Sequence, residues 1–223
     1  MNNISAGPRH QSMTQFTFEY LREQILIGKL ALGESLDQGK LAELLHVSQT
    51  PIREALRKLE EQGFVTISPY RGVEVTRLDM SQIQELYIIR CQLETLAARE
   101  AAKRMDDNTL VALKRTLETA KELLEKEDSQ GLLEINKNFH AMGYSVSGYM
   151  QLCNLISKLR DQCTMYRVRH TRIIERGKDA YTEHLEIYKS WANKDPEAAD
   201  FWTRTNLMNT AEALLKLARE EGK

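Results

Sequence analysis

Apolar and polar positions follow two different regimes along the chain, and the change falls near residue 78. Before it, elements are short. Phe16, Tyr20, Leu21, Ile25 and Leu26 recur at helical spacing, which predicts a first helix over 12–27 with Gly28 as its C′ residue. LALGESL is a short extended or turn segment, and Asp37 suits the cap of a second, short helix through Leu45. A third helix follows HVSQ, capped by Ser48 and stopped by Gly63; Pro51 sits in its first turn, where no intrahelical N–H bond is lost. Phe64–Ile67 and Val73–Val75 then alternate around the turn SPYRG, which predicts a two-stranded hairpin. Helix, short helix, turn, helix and hairpin together spell a winged helix-turn-helix over 1–77.

After residue 78 nearly everything has helical periodicity. The spacing predicts six helices, over 80–104, 107–127, 129–146, 148–173, 178–193 and 196–220, with breaks at MDDN, EDSQG, SVSGY, IIERGKD and ANKDP. Connections this short make neighbours antiparallel. The expected fold is mainly α: an N-terminal winged helix-turn-helix, then an all-α antiparallel bundle of about six helices over 78–223.

Composition narrows the setting. The chain has 223 residues, 42% hydrophobic and 28% charged, as in ordinary globular proteins. No run of about 18 apolar residues occurs, so no membrane-spanning helix is expected. MNNISAGPRHQSM lacks the apolar centre of a secretory signal. Cys91, Cys153 and Cys163 are odd in number and lack CxxC spacing, which fits reduced thiols in a cytoplasmic protein. Net charge is −1, and residues 1–77 hold nine Lys/Arg against nine Asp/Glu. Any affinity for nucleic acid must therefore come from local placement of cations.

Such placement is visible in HVSQTPIREALRKLEEQGFV. Ile52, Ala55, Leu56 and Leu59 share the face that docks the third helix, whereas Gln49, Thr50, Arg53 and Arg57 lie elsewhere and mostly near its start. A helix that enters the major groove by its N-terminus needs such residues. Its first N–H groups favour phosphate. Arg bonds bidentately to guanine and Gln to adenine, each for about 1–3 kcal/mol of discrimination. Arg71, beside Gly72 at the hairpin tip, suits contact with backbone or minor groove. A merely solvated polar face explains the helix alone equally well; its place between a short helix and a hairpin favours DNA.

LREQILIGKLALGESL, LAELLHVS, TPIREALRKLEEQG and RGVEV resemble the N-terminal domain of the GntR family of bacterial transcriptional regulators over residues 14–77. The resemblance implies dimeric binding to a short palindromic operator. Carried over position by position, it implicates Ser48, Gln49, Thr50, Arg53 and the wing at Arg71–Gly72. Many relatives carry Arg where this chain has Gln49, so Gln49 is expected to read adenine or no base.

The second half, with LYIIRCQLETLAAREAA, NKNFHAMGYSVSGYMQLCNLI and EHLEIYKSWANKDPEAADFW, is similar to the effector domain of the family's FadR-type branch, the FCD domain. Many such domains hold a divalent metal with one Asp and three His. The corresponding positions here are Asn136, His140, His184 and Asn206, of which Asn136 and His140 share a helix face at i, i+4. Asn carbonyl oxygens are weak ligands for zinc-like ions, and this set carries no ligand charge. A cofactor is therefore not required, although zinc, nickel or manganese held by His140 and His184 stays a candidate. The rival is a polar pocket of the same residues that binds an organic effector directly, with Arg90 pairing a carboxylate. Plain structural roles stand beside both: hydrogen-bonded core histidines, and an Arg90 that only bridges Glu94 or Glu85. The basic run RVRHTRIIERGK, 167–178, suits a helix C-terminus, the effector pocket or a surface toward the first domain.

The expected function is a ligand-responsive regulator, typically a repressor, whose partners are operator DNA, a small carboxylate-type effector and a second copy of the chain. No Gly-rich phosphate loop, nucleophile elbow or HExxH pattern supports the competing reading, a metal-dependent or catalytic bundle. A purely architectural DNA-binding protein is the third class, and it would have no use for a polar pocket.

Overall fold

Capping residues set the boundaries of the first elements. In this computed structural model, which describes residues 12–167 and 173–221, Ser12 accepts from the Gln15 N–H and opens α1 (Met13–Leu26). Asp37 accepts from the Gly39 and Lys40 N–H groups and opens α2 (Gln38–Leu45). These backbone bonds hold the Asp37 carboxyl below its ordinary pKa. His46, at φ 53°, closes α2 and turns the chain into α3 (Gln49–Glu61). Ser48 stands at the N-cap position of α3, but its side chain makes no cap bond. That corrects the expectation that its hydroxyl caps the helix.

The third helix buries Ile52, Ala55, Leu56 and Leu59 against α1 and α2. Burial of each large apolar side chain contributes about 1.5–3 kcal/mol. The buried face of α1 is Thr17, Phe18, Leu21 and Ile25. Phe16, placed on that face by the sequence pattern, is 42% exposed. FTFEYL offers two overlapping helical stripes, and packing selects the one through Phe18. The hairpin pairs β1 (Val65–Ser68) with β2 (Gly72–Val75) in antiparallel register, Val65 opposite Val75 and Ser68 opposite Gly72. The extended stretch before α2 lies along the far edge of β2: Gly33 and Leu36 donate to Val75 and Val73, and Val75 donates back to Glu34. The hairpin is thus tied to the segment between α1 and α2 instead of projecting alone.

The chain divides into two compact units, the second beginning at Leu78. Six helices make up the second unit among the described residues: α4 (Met80–Arg104), α5 (Asp107–Glu125), α6 (Ser129–Ser145), α7 (Met150–Arg167), α8 (Ile173–Ala192) and α9 (Pro196–Glu221). The break expected at IIERGKD is not where the helix starts: Ile173 through Asp179 already belong to α8. No Gly or Pro pair punctuates that stretch, and Gly177 alone is tolerated inside a helix. Residues 168–172 of the basic run lie outside the described residues.

Small residues let the bundle close. Ala97, Ala98, Ala101 and Ala102 line α4 where α8 and α9 approach. Trp191 fills the centre, fully buried, and its indole N–H donates to the Ala98 carbonyl at 3.1 Å. A side chain at Gly143 would strike the Trp191 ring, since a Cβ there would sit 2.1 Å from it. Cys91 and Cys163 are buried thiols, and burial pushes the Cys91 pKa up. No helix among the described residues is long and apolar enough to cross a membrane.

Candidate nucleic-acid interface and bundle pocket

The side of α3 away from the core is open. Ser48, Gln49, Thr50, Arg53 and Arg57 are all exposed, as are Arg71 and Gly72 at the hairpin turn. Gly72 has φ +73° with free space around it, so only backbone conformation demands glycine there. Tyr70, beside Arg71, is almost wholly exposed; the sequence reading passed it over as a turn residue. Two acids of α3 are turned to structural work. Glu54 accepts from the Thr14 hydroxyl at 2.6 Å, and Glu60 accepts from the Ile67 N–H at 3.0 Å. Arg53 Nε donates to Gln38 Oε1 at 3.2 Å, and its Nη2 donates to Gln49 Oε1 at 3.1 Å.

The bundle hides a charged centre around Glu94. This carboxylate has no exposure, and it accepts from Arg90 Nε and Arg160 Nη1, each at 2.8 Å, and from the Tyr144 hydroxyl at 3.0 Å. Burial opposes its charge, but Arg90 and Arg160 outweigh burial and hold its pKa below the ordinary value. Burial and the adjoining carboxylate push the Tyr144 phenol well up. Tyr144 spends its one hydrogen on Glu94, so at 3.0 Å it accepts from His140 Nδ1–H. That fixes the side of the ring that carries hydrogen. His140 Nε2 then faces His184 Nε2 at 3.0 Å.

Asn136 is oriented by the same network. Arg160 Nη2 donates to its Oδ1 at 2.9 Å, which turns the amide nitrogen toward His184 Nε2, 3.5 Å away. Asn206 is drawn elsewhere. Its amide donates to Glu183 at 2.6 Å, alongside Asn209 and Arg176. Of the four residues aligned in sequence, hydrogen bonds join Asn136, His140 and His184, and leave Asn206 in the Glu183 cluster. Arg90 takes the structural role expected beside the effector contact. It is 4% exposed, bound to Glu94, with its guanidinium 4.8 Å from the Tyr87 ring centre.

The donor set does not fit a metal ion. Among the described residues no three His, Cys, Asp or Glu side chains gather as ligands. Asn136 presents a donor nitrogen to the site, which suits an acceptor and not a cation. A cavity of about 30 Å³ does adjoin it, walled by Leu124, Leu132, Asn136, Arg176, Tyr181 and His184. Arg176 gives Nη2 to Glu183, the Asn206 carbonyl and Thr210, while its buried Nε and Nη1 have no hydrogen-bond partner among the described residues. Arg160 and Glu183 have no place in the sequence-based expectation, whereas Arg176 falls in the basic run 167–178 and Glu94 enters there only as a partner of Arg90. Their one visible signal was a set of charges at positions where helical periodicity demands burial.

Comparison with known proteins settles the class. Residues 13–75 match the model of bacterial regulatory proteins of the gntR family, and residues 85–207 match the FCD domain. The chain belongs to the GntR family, in its FCD branch. A Bacillus subtilis HTH-type transcriptional regulator, YdhC, is 29% identical over 208 residues, 92% of each chain. The Escherichia coli HTH-type transcriptional repressor RspR is 25% identical, covering 94% of this chain and 92% of its own. The Escherichia coli regulator McbR is 31% identical over 68% of each. Its solved structure superposes with a TM-score of 0.82 over 93% of this chain and 99% of that one. Like these relatives, this GntR chain is a DNA-binding transcriptional regulator with an effector domain, and not an enzyme.

Proposed function

We propose that this GntR regulator is a repressor that binds a palindromic operator as a dimer and is released when a small carboxylate-type effector enters its bundle. The observation that carries the reading is the split of α3: Ile52, Leu56 and Leu59 fully occupied in the core, and Ser48, Gln49, Thr50, Arg53 and Arg57 left to solvent. Arg71 on the wing supplies a backbone or minor-groove contact. The repressor assignment takes support from the name of RspR.

The effector binds without a metal. The cavity beside Asn136 and His184 is the entry point, and Arg176 replaces Arg90 as the cation that meets it, because its Nε and Nη1 are unclaimed. Glu94, Tyr144, His140 and Arg160 hold the walls in register. A ligand that favours one arrangement of those walls shifts the population between operator-competent and released forms. The second copy of the chain docks on α4 and α9, which run antiparallel, tied by Arg99 to Glu197 and by Arg204 to Cys91. Ile88 and Leu96 on α4, with Phe201 and Met208 on α9, are exposed at matching levels. A DNA partner puts the protein's work in the cytoplasm.

The test is fluorescence anisotropy with an operator selected from random duplexes. The expected result is tight, salt-dependent binding by a dimer, weakened by a small carboxylate and unchanged by chelator. Equal affinity for selected and scrambled duplexes would refute the operator reading, and chelator sensitivity would refute the metal-free pocket.

A further inference from the structure

We propose that Gln49 does not read a base but positions Arg53. Together with Gln38 it clamps one edge of the guanidinium so that the other edge meets guanine. The inference rests on the DNA-binding reading of α3 and adds a specificity device to it.

The geometry is particular. Gln38 is the first residue of α2 and Gln49 the first of α3, so the two helices of the motif each send one amide to the same side chain. Arg53 Nε donates to Gln38 Oε1 and Nη2 donates to Gln49 Oε1. In a planar guanidinium these two nitrogens form the side edge. The end edge, Nη1 with the second hydrogen of Nη2, makes no hydrogen bond among the described residues. That edge presents two parallel N–H groups, the pattern that pairs with guanine O6 and N7.

The same bonds argue against adenine readout by Gln49. That contact needs Oε1 to accept from adenine N6 and Nε2 to donate to N7. Here Oε1 is directed at Arg53, so the amide faces along the helix surface toward i+4. A long side chain already held in its binding geometry avoids an ordering cost worth about two- to twelve-fold in affinity. The saving applies only where Arg53 meets its base. It therefore raises specific binding over non-specific binding.

Site selection from random duplexes, scored by sequencing, tests this with the full chain and its Arg53→Met, Gln49→Met, Gln38→Met and double Gln variants. Arg53→Met should abolish a guanine preference at one base pair of each half-site. The double Gln variant should flatten that same preference by about two- to twelve-fold and leave other pairs alone. Gln49→Glu keeps the acceptor for Arg53 but loses the donor for adenine N7, so it should retain the guanine. A changed preference at a different base pair in Gln49→Met would overturn the proposal, as would unaltered selection in the double variant. If the parent chain enriches no sequence at all, the operator reading itself fails, a result distinct from an enriched operator that ignores Gln38 and Gln49.

Discussion

Glu94→Gln removes one negative charge from a site that solvent does not reach, while keeping the side chain's volume. The two guanidiniums it serves are 4% exposed for Arg90 and 11% for Arg160, so neither is rescued fully by water. Breaking a buried pair by removing one partner costs about 3–5 kcal/mol. The lower end applies here, because the glutamine oxygen still accepts one bond and Arg160 reaches some solvent. For a domain of this size about 3 kcal/mol lowers the melting temperature by about 6–12 °C. The sign with pH follows from the depressed pKa of Glu94 in the folded state. Its contribution is complete above the ordinary value of 4.5 and is lost as pH falls through the folded value. The gap between parent and variant should thus be constant from neutrality to mild acid and narrow below that. Urea unfolding followed by tryptophan fluorescence is the assay. Both tryptophans, Trp191 and Trp202, lie in the bundle, so the signal is blind to the winged domain. A gap under about 1 kcal/mol at neutral pH, or one that persists unchanged in strong acid, would refute the charged centre.

The remaining predictions concern packing, wing and interface. Gly143→Ala drives a methyl into the Trp191 ring, and overpacking of this kind costs about 1–3 kcal/mol; a blue- or red-shifted tryptophan spectrum with lowered urea midpoint checks it. Arg71→Ala should weaken binding to all duplexes alike and reduce the magnitude of the salt slope by about one per subunit, measured by anisotropy across salt concentrations. Leu96→Glu combined with Phe201→Glu should yield a folded monomer by light scattering, since both sites are exposed on the single chain.

Periodicity exposed the architecture more readily than the chemistry. The face of α3 was legible because Ile52, Ala55, Leu56 and Leu59 leave little choice of register. In α1 the pattern was ambiguous, and only packing decides that Thr17 goes in and Phe16 stays out. The start of α8 was missed because charged residues in IIERGKD read as a loop, whereas Arg176 is half of a mostly buried ion pair with Glu183. The pocket was harder still. Hydrogen bonds link Asn136, His140 and His184, but their orientation comes from Glu94 and Arg160, 66 residues apart in the chain. Local spacing says nothing about which distant charge will meet them: it leaves Arg90 open between an effector and Glu94, and the structure has it on Glu94, while Asn206, expected in the pocket, serves Glu183.

The account turns on whether the start of α3 contacts base edges, and one ratio measures that: affinity for the selected operator over affinity for a scrambled duplex at one salt concentration. The parent protein should show a ratio of about 10³ or more. Arg53→Ala should lower it by about 5- to 160-fold per half-site, the worth of one bidentate guanine contact, with little change in scrambled-duplex affinity beyond the loss of one cation. An unchanged ratio in that variant, with its fold intact, would contradict the claim.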